Sequence, residues 1–303
     1  MPRNLTEPSS AGHKLGQFIG DWFEEFFVLP LLNEAANKLS LFSDNRFVKR
    51  MARGEKIVWQ DEDGNSVDYD FVLELGGTPT NIGIPVAFIE CFWRRGSRHS
   101  KDKARDDSGK LMPMRTAYPT ARFLGIVSAG DFTEPARELV RSRDIDLFYV
   151  SKNKVIQAFS KNGLVMDYPD TASELDKAII ASEFEKAFTQ EKRAIVANTL
   201  VELIGNASVN SYVDRVKARL SALPQEFRLI LRQESTPLVF RTLDEVANFL
   251  IKPSFQVDNP RESFLYQITY SDGTEFEQTV DSIDGLKTLH SQIQRLSEHM
   301  EHL

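Results

Sequence analysis

Two acidic residues, Asp70 and Glu90, carry the strongest chemical signal in this sequence. Each stands inside a run of β-forming residues: Asp70 in Val-Asp-Tyr-Asp-Phe-Val-Leu-Glu-Leu over residues 67–75, Glu90 in Pro-Val-Ala-Phe-Ile-Glu-Cys-Phe-Trp over residues 85–93. A Gly-Gly-Thr-Pro break lies between the two runs, and a cationic stretch follows the second. Residues 94–115 hold eight lysines and arginines (Arg94, Arg95, Arg98, Lys101, Lys103, Arg105, Lys110 and Arg115) against three aspartates, Asp102, Asp106 and Asp107. That is a local positive surplus inside a chain of net charge −7. Hard divalent cations such as Mg²⁺ take oxygen ligands and keep waters for a substrate phosphate. Such an ion polarises a phosphodiester and lowers the pKa of a bound water. Two carboxylates on neighbouring strands beside a basic helix start can therefore hold a divalent metal and a nucleic-acid phosphate together.

The elements must bring these side chains together. Alternate residues of a strand share a face. Asp68, Asp70, Val72 and Glu74 are thus expected on one face of one strand, and Val86, Phe88, Glu90 and Phe92 on one face of the next. With the two strands adjacent and in register, Asp70 and Glu90 converge on one ion. Asp68 is the closer rival of Asp70, and Glu74 lies too far along. A carboxylate in the apolar run around Glu90 is costly to bury without a partner. If its role is only structural, the expected partner is Arg94 or Arg122. Cys91 falls on the opposite face and reads as a small core residue.

The remaining pattern predicts a mixed α/β chain. Leu15, Phe18, Ile19, Trp22, Phe23, Phe26 and Phe27 recur at helical spacing from residue 13 to about 41, with Pro30 expected to break or kink the helix. A hairpin is expected from residues 56–59 and 67–75 around the turn at 61–65, then a strand at 86–93 and a helix from about 97 to 118 kinked at Pro113. Strands at 122–128 and 146–150 flank a helix at 133–141. The order is that of a mixed β-sheet flanked by helices with a crossover connection. A charged helical region follows, and then a small α+β C-terminal domain. Its expected elements are strands at 227–232, 237–241, 264–270 and 275–280 and helices at 243–251 and 283–299. The expected units are residues 13–165, 166–225 and 226–303.

Composition narrows the setting. The chain of 303 residues is 41% hydrophobic and 27% charged, ordinary for a soluble globular protein. One cysteine and five histidines exclude an intrachain disulfide and a Cys/His zinc cluster, and point to a reducing cytoplasmic location. Residues 1–12 read as a polar, disordered lead without a signal-peptide core. No run is long enough to span a membrane.

The Asp-strand, Glu-strand order resembles the PD-(D/E)XK nuclease superfamily. The stretch Phe-Ile-Glu-Cys-Phe-Trp-Arg-Arg at 88–95, with His-Ser-Lys-Asp-Lys at 99–103, is similar to bacterial restriction-endonuclease-like proteins. The likeness covers roughly residues 13–160. It implies a restriction-endonuclease-like fold, with Asp70 and Glu90 as ligands of Mg²⁺ or Mn²⁺. The family lysine belongs two residues past the glutamate, where this chain has Phe92. The resemblance then implies either an inactive site or a lysine relocated to the neighbouring helix. Lys103 is favoured there over Lys101, with Arg94 a further candidate. His99, Lys103, Asp106 or Asp107, and Lys110 share one face of that helix by spacing. Glu25 or Glu24 of the first helix is placed to add a carboxylate, as in several superfamily members. Arg94, Arg95, Arg98 and His99 are the expected phosphate contacts; His99 reads equally as a helix-start residue. The implied function is metal-dependent endonucleolytic hydrolysis of DNA in restriction or phage defence. The implied assembly is a homodimer, with a DNA methyltransferase as functional partner. A non-catalytic DNA-binding or regulatory protein and an RNA-directed nuclease are the alternatives.

Overall fold

In the computed structural model, residues 11–231, 236–252, 255 and 263–303 are described. Most of the polar lead, up to residue 10, lies outside them, and Ala11 and Gly12 already open the first helix. The helically spaced aromatic residues form one rod in three contiguous segments. These are α1 (Ala11–Trp22), a π-helical turn (Phe23–Val28) and α2 (Leu29–Lys38). Of the break or kink expected at Pro30, the break does not occur. Pro30 sits in the first turn of α2, and proline is tolerated in a helix's first turn. The irregularity lies one turn earlier, in the π segment.

The main sheet has the order β1-β4-β5-β6-β7. Its strands are β1 (Phe42–Asn45), β4 (Phe71–Leu75), β5 (Ile84–Arg94), β6 (Phe123–Gly130) and β7 (Asp146–Ser151). The β1, β4 and β5 pairings are antiparallel, whereas β5–β6 and β6–β7 are parallel. The sheet is therefore mixed and flanked by helices. β1 was not foreseen, because four residues of Phe-Ser-Asp-Asn carry no alternation. The run 67–75, expected as one strand, is two. Its first half, β3 (Ser66–Tyr69), pairs with β2 (Ile57–Gln60) in a separate ribbon, and its second half joins the main sheet. The alternation slips between them: Tyr69 and Val72 enter one apolar core and Phe71 the other. Asp70 is the residue at that slip.

The two cores lie on opposite faces of the sheet. One face carries α3 (Ser100–Ala117), α4 (Glu134–Arg141) and the β2–β3 ribbon. The other carries the first helical rod together with α5 (Lys152–Lys161), α6 (Glu174–Ala187), α7 (Gln190–Ile204) and α8 (Asn206–Ser221). β5 is buried on both faces, which is why its sequence is nearly continuous in apolar residues. The region expected as a connector at 166–225 shares the core of the first helices. Phe184, Phe188 and Leu200 pack there, and the Trp22 indole N–H donates to the Arg193 carbonyl at 2.9 Å. α3 starts at Ser100, three residues later than expected, with His99 at positive φ before it. It runs through Pro113 without ending.

The C-terminal part is an antiparallel sheet of order β11-β10-β8-β9. It comprises β8 (Pro224–Leu231), β9 (Leu238–Phe240), β10 (Phe264–Tyr270) and β11 (Glu275–Val280). α9 (Leu243–Leu250) and α10 (Ile283–Glu301) cover it, and the β10–β11 turn falls at 271–274 as its Ser-Asp-Gly-Thr predicts. Residue 232, the expected end of the first of these strands, lies outside the described residues. Leu296 and Met300 of α10 reach into the core that holds the first helical rod, and the His299 ring donates to the Leu39 carbonyl at 2.8 Å. Among the described residues, no helix is long and apolar enough to cross a membrane.

Gly130 closes β6 against β5. Its φ is +98°, and a methyl group there would overlap the Arg94 carbonyl oxygen. Gly130→Ala should lower stability by roughly 2 kcal/mol or more. A chemical denaturation midpoint unchanged from wild type would contradict this.

Candidate active site

The slip at Asp70 builds the site. The β4–β5 register sets Phe71 opposite Ile89, so Asp70 falls one step beyond that pair, level with Glu90. The Asp70 carboxylate accepts the Cys91 backbone N–H at 2.6 Å, which pins it to β5 immediately beside Glu90. Glu90 is 3% exposed. Its Oε2 accepts from Lys110 at 3.3 Å, and its Oε1 is buried without a hydrogen-bond partner among the described residues. The expected structural partners of Glu90 are elsewhere. Arg94 donates to the Arg98 carbonyl, and Arg122 turns to the C-terminal hairpin.

A third carboxylate arrives from the π-helical turn. Glu24, rather than Glu25, is buried there and feels the charge of Asp70. π-Helical turns inside α-helices recur at functional sites. Arg46 of the β1–β2 connection holds Glu24 at 2.8 Å. Glu25 is half-buried. A fourth carboxylate, Asp107 of α3, is 1% exposed. One of its oxygens accepts from Lys103 at 2.6 Å, and the other has no hydrogen-bond partner among the described residues.

These acids share too little positive charge. Burial pushes the Glu90 carboxyl up to about 8, helped by the charges of Asp70 and then Asp107. Burial and then Asp70 push Glu24 up to about 8 as well. Burial also raises Asp70 and Asp107 above the ordinary carboxylate range, opposed by Lys103 and Lys110 among others. Carboxylates crowded in a low-dielectric space resist losing all their protons, and a cation relieves that resistance. The donor set is all oxygen, and Glu90 Oε1 is a buried lone-pair donor without a partner, so these residues suit a hard cation. Among the described residues, no group of three or more His, Cys, Asp or Glu forms a ready cage for an ion. Mg²⁺ is commonly held by only one or two carboxylates plus waters and substrate phosphate.

The lysines divide. Lys103 lies on α3 with its ammonium 5.1 Å from the centroid of the Phe92 ring, bonded to Asp107. It therefore occupies the space above the position where a strand lysine would stand. Lys110, two turns further along α3, contacts Glu90 directly. The sequence carried a signal for Lys110, since residues 103, 107 and 110 share a helix face, but it gave no reason to prefer it. Lys101 is exposed on the same helix. Phe92 is core, edge-on to Phe132 with ring centroids 5.1 Å apart.

The other expected residues scatter. Asp68 is exposed and paired with Lys56 at 3.2 Å. Glu74 is fully buried against Arg50, away from the site. Arg95 is clamped by Asp167, Asp170 and the Tyr168 carbonyl, with its guanidinium 3.9 Å from the centroid of the Tyr168 ring. That clamp, formed by residues far along the chain, removes Arg95 from the free cations. Arg98 is exposed, and His99 is exposed with its ring nitrogen 3.0 Å from Asp102.

No family model, curated protein or solved structure matches this chain.

Proposed function

We propose that this chain is a metal-dependent nuclease with a restriction-endonuclease-like sheet, hydrolysing DNA phosphodiester bonds in restriction or phage defence. The observation that carries the reading is the cluster of Asp70, Glu90, Glu24 and Asp107, buried, short of positive charge and flanked by the basic helix α3. Asp70 and Glu90 would hold Mg²⁺ or Mn²⁺. Bound there, the ion would polarise the phosphodiester and lower the pKa of a water. Lys110 keeps Glu90 oriented, and Lys103 supplies positive charge near the scissile phosphate in place of the lysine that Phe92 displaces. Arg94, Arg98 and Lys101 approach the DNA backbone at the start of α3, where contacts set affinity and salt dependence. A double-strand break needs two such sites, hence a homodimer, and self-protection calls for a DNA methyltransferase partner.

A second reading has its own observation. Phe92 is integral to the core, as in a fold that kept its shape and lost its lysine, leaving a non-catalytic DNA-binding protein. Supercoiled plasmid separates the two. Purified protein should nick it with Mg²⁺ and not with EDTA; an inert protein that still shifts DNA in a gel favours the second reading. If the first holds, Lys103→Ala should lower the single-turnover rate about 100-fold while leaving DNA affinity within a few-fold. Lys110→Ala should raise the metal concentration needed, through the freed Glu90. Full turnover in Lys103→Ala would move its role to Arg94 or Lys101.

A further inference from the structure

A charged cavity lies at the far end of α3. Its volume is about 610 Å³, within the size range of small-ligand sites. Five arginines line it, Arg115, Arg122, Arg141, Arg215 and Arg219, against the three aspartates Asp144, Asp146 and Asp272. The walls thus carry an excess of positive charge. They come from three parts of the chain: the sheet and its helices, α8, and the β10–β11 turn of the C-terminal sheet. Arg115 lies on the helix of Lys103, about 18 Å further along at 1.5 Å per residue. The cavity is therefore separate from the carboxylate cluster.

The arginines are held by acids of the cavity wall, and Arg122 is incompletely satisfied. Arg122 has a side chain only 6% exposed, and its Nε has no hydrogen-bond partner among the described residues. Its Nη2 donates to Thr274 Oγ1 at 2.9 Å and stands 3.7 Å from Asp272. Arg115 and Arg219 both turn to one carboxylate, Asp144, at 3.3 and 3.1 Å, and Arg219 also approaches Asp272 at 3.6 Å. Arg215 pairs with Asp146 at 3.1 Å. Burial lowers the proton affinity of Arg115 despite Asp144, and that of Arg122 despite Tyr270, whose ring centroid lies 3.1 Å from its guanidinium carbon, and Asp272. Guanidinium forks match phosphate oxygens in pairs, and Arg is the residue most suited to that geometry. Leu124 and Ile145, both nearly fully buried, provide an apolar floor beside the charged rim.

We infer that this cavity binds a small phosphate-bearing anion of nucleotide size, its phosphates on the arginine rim and any ring on the Leu124–Ile145 floor. The inference is independent of the nuclease reading, because its test measures binding and not cleavage. Calorimetry on the full chain, in metal-free low-salt buffer, would use ATP and pyrophosphate as probes. Saturable one-to-one binding of either is expected. ATP binding more tightly than pyrophosphate would assign the floor to the base, and equal affinities would assign the site to free polyphosphate. Arg115 and Arg215 are partly exposed, so Arg115→Ala and Arg215→Ala should fold normally, and each should weaken binding about 5-fold or more. Asp144→Asn should tighten it, by removing the carboxylate that competes for Arg115 and Arg219; a merely structural network would not respond in that direction. Arg228→Ala, on the C-terminal sheet outside this cavity, should leave affinity unchanged. No saturable heat with either probe up to about 1 mM would overturn the inference. So would affinities indifferent to all three cavity variants, or binding of duplex DNA through these arginines with neither small probe bound.

Discussion

Glu90→Gln is expected to abolish Mg²⁺-dependent cleavage, by about 100-fold or more, and at the same time to make the protein more stable at pH 8. The two effects share one cause. Glu90 is buried among Asp70 and Asp107, and its carboxyl is pushed up to about 8, against 4.5 for the free side chain. A carboxylate raised in the folded state costs stability wherever the unfolded chain ionises first. Below about pH 4.5 both states are protonated and there is no penalty. The penalty grows as pH climbs from there to about 8, then stays level. The amide keeps the shape and carries no charge. It should therefore raise stability at pH 8 by roughly 2 kcal/mol, several degrees in Tm, and the gain should vanish towards pH 4.5. Glu24, also pushed up to about 8, should contribute in the same direction.

The same linkage yields a metal signature that needs no turnover. Binding must displace the protons held by this cluster, so apparent Mg²⁺ affinity should fall as pH drops below about 8, by up to roughly tenfold per unit. Mg²⁺ should raise the Tm of the wild type at pH 8 and do little for Glu90→Gln or Asp70→Asn. Melting curves at pH 5 and pH 8, with and without Mg²⁺, check all of this. Equal destabilisation of both variants at each pH, with no metal response in the wild type, would remove the cation from the proposal.

The second large effect concerns the fold. Arg50 has a side chain 2% exposed, and its guanidinium is saturated. It donates to Asp44 at 2.7 Å, to both Glu74 oxygens at 2.6 and 2.8 Å, and to the carbonyls of Thr78 and Asn81 at 3.0 and 2.6 Å. It thereby ties the loop after β1 to β4 and to the turn before β5, the segments that frame Asp70. Arg50→Met should cost about 3–5 kcal/mol, because Glu74 would remain buried without a countercharge, holding only the Gly83 N–H at 2.6 Å. Asp44 would keep Arg53, at 2.9 Å. Arg50→Met with Glu74→Gln should recover part of the loss. Urea denaturation of the two single variants and the double variant measures the coupling. A single-variant loss under about 1 kcal/mol would mean that the buried pair contributes little.

Residue pattern alone determined much of this protein. Periodicity located the aromatic rod, the apolar run of β5, the crossover helices and the C-terminal hairpin, because a 3.6- or 2-residue repeat is a local property of the chain. It also singled out Asp70 and Glu90, since acids within apolar strands are costly unless something compensates them. The helical repeat even put Lys103, Asp107 and Lys110 on one face. Tertiary structure decided what local pattern does not encode. The strand containing Asp70 splits because its two halves pair with different partners. Glu24, rather than Glu25, is buried beside the cluster, in a π-helical turn that no residue pattern announced. Arg95 is spent on Asp167 and Asp170, whereas Lys110 meets Glu90. Each of these outcomes depends on which charges the packed elements bring within a few ångströms. Spacing along a helix or strand determines which way a side chain faces, but only the packing of one element on another determines which charges it meets.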